Sequence, residues 1–184
     1  MRKTVALNFL LIAFAAVGAA QLMGCSEGQH NEEPAPHDVR LLDFIGPELV
    51  DAEGNTTSSA VLEEKDYLLL YFSAEWCPPC RQFTPELVDF YNEYAQEGNV
   101  EVVFISLDHS ESDMYDYMKG YSMNWPAVPY DRRDESQLAE TYSVKGIPAL
   151  VQVTPEGYAI SHSGGEGGPF KMLDRLTSSF KDRP

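Results

Sequence analysis

A pair of cysteines with two residues between them, in the stretch Trp76-Cys77-Pro78-Pro79-Cys80, constrains this chain more than any other feature. It follows the apolar run Tyr67-Leu68-Leu69-Leu70-Tyr71-Phe72 and opens a segment with helical spacing. Two intervening residues let both sulfurs sit in one helical turn, close enough to close a small disulfide ring. The first thiol then meets the helix N-terminus, with its unpaired N–H groups and positive dipole end. That setting favours thiolate, the nucleophilic form. Proline suits the start of a helix because its φ is already helical and it wastes no donor. A Cys-x-x-Cys pair at a strand-to-helix junction therefore points to redox chemistry.

Other uses of the pair fit poorly. A zinc site takes about four nitrogen or sulfur ligands. The chain has no second Cys-x-x-Cys, and His30, His37, His109 and His162 are scattered. No metal is expected. A purely structural disulfide would gain little from so short a loop.

The third cysteine has a separate explanation. Arg2 and Lys3 precede an apolar stretch from Val5 to Ala20, followed by Leu22-Met23-Gly24-Cys25. A positive start, a short apolar run and small residues before a cut site describe an export signal. The run is short for a bilayer span, which takes about 20 residues. Leu-Met-Gly-Cys resembles the bacterial lipobox, which implies residues 1–24 as signal peptide and lipidation at Cys25. An uncleaved anchor or an ordinary secreted protein are the alternatives. Residues 25–38 are polar and carry Pro34 and Pro36, as a flexible tether would. The globular part is expected over 39–184, facing away from the cytoplasm. Ser26 after the lipid cysteine favours the outer membrane of a bacterial envelope over the inner, with the domain in the periplasm.

The net charge is −16, from 29 acidic and 13 basic residues. Nucleic-acid binding needs basic clusters and is excluded on this ground.

Periodicity organises the rest. Val39–Val50 reads as a strand or hairpin closed by the turn residues Asp51–Asn55. Tyr67–Ser73 and Val100–Leu107 read as central strands. Pro78 to about Glu97 reads as a helix, kinked at Pro85. Further helices are expected over Ser110–Tyr121, with Ser110 and Asp113 as cap candidates, and over Asp134–Tyr142 and Pro169–Phe180. A hairpin is expected from Ala149–Val153 and Tyr158–His162. Strands alternating with helices predict an α/β sheet covered on both faces. The aromatics Tyr115, Tyr117, Tyr121 and Trp125 read as packing.

Taken together, Tyr71–Leu87 around the cysteines, Val102–Asp108 and the loop Trp125–Asp131 resemble the thioredoxin superfamily, nearest its tryparedoxin and nucleoredoxin branch. The likeness spans roughly 41–180 and implies a thioredoxin fold. That is a central mixed β-sheet flanked by helices, here with an N-terminal strand or hairpin extension. It implies thiol–disulfide exchange by Cys77 and Cys80 with no cofactor beyond the dithiol. It also implies that Pro148, in Val144-Lys145-Gly146-Ile147-Pro148, is cis and lies against the dithiol. Trp76, Pro78, Pro79, Ile147, Pro148 and Gly165 are then the candidate substrate groove.

One departure is plain. Many thioredoxins carry a buried Asp six residues before the first cysteine, with a Lys on the next strand. Here the position is Tyr71, and Val100–Leu107 has no Lys. Glu75 and Asp108 are the candidate substitutes in a proton relay, Glu75 being read mainly as a solvated neighbour. Trp76 reads as a partly exposed lid, Arg81 as a source of positive potential or a plain surface residue, and His109 as exposed loop. The expected partners are protein disulfides and a membrane electron-transfer donor, met by a monomer. The expected activity is a membrane-tethered reductase. An oxidase or isomerase of secreted thiols, and a non-catalytic peptide-binding module, remain open alternatives.

Overall fold

The computed structural model describes residues 41–95, 99–132 and 135–182. The signal, the tether and Cys25 lie outside the described residues.

The heart of the fold is β3 (Tyr67–Ser73), buried at every position. It pairs in parallel with β4 (Val100–Ser106) and antiparallel with β5 (Ala149–Val153), and β5 pairs antiparallel with β6 (Ala159–His162). The order β4-β3-β5-β6 makes a mixed sheet. A strand covered on both faces needs apolar side chains pointing both ways, hence the unbroken run Tyr-Leu-Leu-Leu-Tyr-Phe.

Alternation within β3 divides the core. Tyr67, Leu69 and Tyr71 face α2 (Pro78–Phe90), α3 (Glu111–Gly120) and α5 (Pro169–Lys181). Leu68, Leu70 and Phe72 face α1 (Leu41–Ile45), a 3₁₀ turn (Ser59–Glu64) and α4 (Glu135–Thr141).

The N-terminal region corrects one expectation. Leu41–Ile45 is a short helix rather than strand, and the hairpin begins only at β1 (Glu48–Val50), returning as β2 (Thr56–Ser58). The apolar spacing Leu41, Leu42, Ile45 fits a helical turn as well as a strand, and Leu41 and Ile45 are fully buried. Ala127 links the hairpin to the main sheet, bridging Val50 on one side and Phe104 on the other. The hairpin thus dresses the β4 edge.

The helix after the cysteines changes form along its length. It runs through Pro85, then widens to a π turn over Tyr91–Ala95. On α3, Ser110 is the cap and accepts from the Asp113 N–H at 3.1 Å; Asp113 is the capped residue.

Candidate active site: a dithiol at the N-terminus of a helix

Cys77 is the N-cap of α2 and Cys80 lies one turn in, with Cα atoms 5.2 Å apart and sulfurs at disulfide distance. Cys80 is wholly buried, and Cys77 is 5% exposed. No side chain caps this helix end. Pro78 and Pro79 carry no N–H, so Cys80 supplies the only amide hydrogen among the first three helical positions. The two prolines thus keep the favourable φ and dipole but remove two donors a thiolate at Cys77 would otherwise meet.

The Ile147–Pro148 peptide is cis. The Ile147 carbonyl oxygen lies 3.8 Å from the Cys77 sulfur. Leu107 and Ile147 close the apolar pocket around Ala74, Cys77 and Cys80. Pro148 also lines a cavity of about 550 Å³ between the Ser143–Gly146 loop and the segment before α5. Gly164 lines that cavity and Gly165 does not; the Gly165 N–H is taken by the His162 carbonyl at 3.0 Å. Trp76, Pro78 and Pro79 are exposed beside Cys77 and lie outside it.

The segment before the cysteines is pinned by three groups. Asp108 is buried and accepts from the Glu75 N–H at 2.7 Å and from the Ser106 hydroxyl at 2.8 Å. Arg81 donates to the Glu75 carbonyl at 2.8 Å and lies 3.6 Å from its carboxylate. The indole N–H of Trp76 donates to the Leu107 carbonyl at 3.0 Å. Burial pushes the Asp108 carboxyl above its ordinary value, against the pull of the Glu75 N–H and Ser106. Of the two candidate relay groups, Asp108 is therefore built into the site. Glu75 points outward to Arg81.

Behind Cys80 lies a cluster that sequence reasoning missed. The Thr84 hydroxyl donates to the Cys80 carbonyl at 2.9 Å, so both of its other contacts must be acceptances. Tyr71 donates to it at 2.8 Å, and Tyr117 does so as well. Ser73 then completes the chain on the Tyr117 oxygen at 3.1 Å. Burial pushes both phenols above their ordinary value, Tyr71 the further, so all four hydroxyls stay neutral. Where a carboxylate would sit in many thioredoxins, this chain has a neutral hydroxyl network. Tyr117, read as packing, is one of its four members; the only available signal was Tyr71 standing in the carboxylate position.

Among the described residues no group of His, Cys, Asp and Glu is placed to hold a metal, and no helix is long and apolar enough to cross a membrane.

Comparison with known proteins agrees with this geometry. A thioredoxin-like family model matches residues 65–159. Tryparedoxin of Trypanosoma brucei brucei is 47% identical over 94 residues, covering 50% of this chain and 64% of that protein. Human nucleoredoxin is 39% identical over 123 residues, covering 66% of this chain and 27% of that protein. The chain thus spans under two thirds of the length of these relatives. Among solved structures, thioredoxin of Wuchereria bancrofti superposes with a TM-score of 0.63 at 36% identity, covering 77% of this chain and 99% of the other. Tryparedoxin II complexed with glutathionylspermidine gives 0.64 at 32%, covering 78% and 96%. Proteins of this kind act through a cysteine redox centre and need no added cofactor. With its mixed sheet, its dithiol at the start of α2 and the Ile147 carbonyl before the cis proline facing the first sulfur, the chain belongs to the thioredoxin-like family.

Proposed function

We propose that this chain reduces protein disulfides outside the cytoplasm, as a monomer tethered by lipid on Cys25. The observation that carries the redox part is the pairing of a rim thiol with a buried one: Cys77 at the mouth beside the Ile147 carbonyl, Cys80 sealed behind it.

The exchange follows from that arrangement. The Cys77 thiolate attacks a substrate disulfide, and the departing sulfur leaves as thiolate. Cys80 loses its proton and attacks the mixed disulfide, releasing the substrate as dithiol and leaving Cys77–Cys80 oxidised. Two electrons have passed to the substrate, and a donor must return them. The membrane electron-transfer protein expected from the tether is the first candidate donor. A small thiol is the second, since a tryparedoxin II relative is complexed with glutathionylspermidine. Asp108 is the candidate acceptor for the Cys80 proton, as the buried carboxylate that holds the segment leading into the dithiol through the Glu75 N–H at 2.7 Å. Extended substrate backbone would lie along Ile147–Pro148, with Trp76, Pro78 and Pro79 as the apolar rim.

Insulin reduction in the presence of dithiothreitol tests the activity, and the Cys77–Cys80 reduction potential tests the direction. A potential near −270 mV, typical of reducing dithiols, supports a reductase, whereas one near −120 mV makes the chain an oxidase. Failure of wild-type protein to reduce insulin would leave the peptide-binding module.

A further inference from the structure

Trp76 is 47% exposed on the rim of the dithiol, and the imidazole of His109 stacks on it with ring centroids 5.5 Å apart and planes 6° from parallel. We infer that His109 is a positioning residue: it holds the Trp76 indole in the orientation a protein substrate meets. The inference rests on the reading of Trp76 as part of the substrate rim.

An exposed tryptophan has two side-chain torsions to fix. The bond from its indole N–H to the Leu107 carbonyl, 3.0 Å, fixes one edge of the ring. A single bond at one edge leaves the ring free to swing about that contact. The imidazole lying flat on one face removes this freedom, and both restraints come from one short segment. Leu107 holds the edge and His109 holds the face. Between them, Asp108 holds the preceding residue through the Glu75 N–H at 2.7 Å.

That segment is itself anchored. The Leu107 N–H donates to the Ser73 carbonyl at 2.8 Å, and the Tyr130 hydroxyl donates to the Asp108 carbonyl at 3.3 Å. The clasp is therefore tied to the ends of both central strands. No other aromatic ring stacks on Trp76 among the described residues, and about half of the side chain is exposed. Neutral imidazole stacks on indole, and imidazolium is attracted to the same face as a cation, so the clasp holds in either protonation state.

The consequence is for binding. A rotamer-rich side chain that must be ordered on association weakens affinity by about two- to twelvefold. A pre-ordered indole avoids that loss. The effect falls on substrates large enough to cover the rim and spares the sulfur chemistry.

The test uses the full chain with insulin and hydroxyethyl disulfide as substrates. His109→Ala is expected to raise KM for insulin about two- to twelvefold with kcat unchanged. Reaction with hydroxyethyl disulfide should not change. His109→Phe, which restores a flat ring, should restore KM. In a Trp76→Ala background His109→Ala should add nothing, because it acts through the indole. An unchanged KM in His109→Ala, equal losses on both substrates, or no rescue by Phe overturns the inference. If wild-type protein reduces neither disulfide, the enzymatic reading fails. Time-resolved fluorescence anisotropy of the reduced chain then decides the clasp alone. Faster indole motion in His109→Ala but not His109→Phe supports it, and identical decays refute it. Trp125, the only other tryptophan, is buried and contributes the same background throughout.

Discussion

The Thr84 hydroxyl donates to the carbonyl oxygen of Cys80, 2.9 Å away, and so ties the buried cysteine of the dithiol to a neutral hydrogen-bond network. Thr84 sits immediately before Pro85, where the helix lacks a backbone donor. It is also the shared acceptor for the phenols of Tyr71 and Tyr117. One side chain thus serves the active helix, the central strand and α3 together.

Thr84→Val keeps the shape but strands two buried phenols. The expected cost is about 1–3 kcal/mol or more, since each unpaired buried polar group loses its desolvation compensation. Tyr71→Phe removes a donor and leaves Thr84 its other partners, for about 0.5–1.5 kcal/mol. Urea unfolding should show the larger midpoint shift in the valine variant, with m unchanged. The reverse order would break the assignment of Thr84 as the hub.

Cys80→Ser should leave Cys77 titrating below the ~8.5 of free cysteine, by alkylation rate against pH. The same variant should accumulate mixed disulfides with insulin, and Cys77→Ser should form none. Turnover in both should fall to the uncatalysed background. An inflection at or above the free-cysteine value would mean that the two prolines have stripped the helix end of too many donors.

Asp108 makes stability depend on pH. Its folded value is raised above 3.8, mainly by burial. Its contribution is therefore fully present at pH below that ordinary value and is lost as pH rises through the raised folded value. Asn at this position can still accept from the Glu75 N–H and does not ionise. The stability of Asp108→Asn relative to wild type should rise across that window and then level off. A flat or falling difference in unfolding free energy, measured by denaturation at a series of pH values, contradicts the assignment.

Two glycines should respond oppositely to alanine. Gly157 has φ +102°, and a Cβ there would stand 2.9 Å from the Leu41 backbone nitrogen. Gly157→Ala should cost about 1–3 kcal/mol and loosen α1, whose Leu41 N–H bonds the Glu156 carbonyl. Gly120 closes α3 with nothing within 4 Å of its would-be Cβ. Gly120→Ala should be neutral or stabilise by about 0.4–1 kcal/mol. Thermal unfolding separates the pair.

The proposed tether is checked by intact mass. Protein extracted from membranes should begin at Cys25 and carry lipid. An unmodified chain retaining Met1 excludes it.

Much of the site was legible in the chain because its determinants are local. Cys77, Cys80 and the prolines between them form one helical turn, and strand β3 betrays its two-sided burial by an unbroken apolar run. The cis Ile147–Pro148 bond was reached through family resemblance, not through local chemistry. What spacing left ambiguous was Leu41–Ile45, where five residues satisfy a helical turn and a strand equally. Packing of Leu41 and Ile45 on the sheet decided for helix. The hydroxyl network, the Asp108 tie and the His109–Trp76 stack were decided only in three dimensions. The Asp108 tie to Glu75 spans 33 residues and the Tyr117 bond to Ser73 spans 44. Periodicity reports which face of an element is apolar; which distant hydroxyl, carboxylate or ring that face meets depends on how the elements dock.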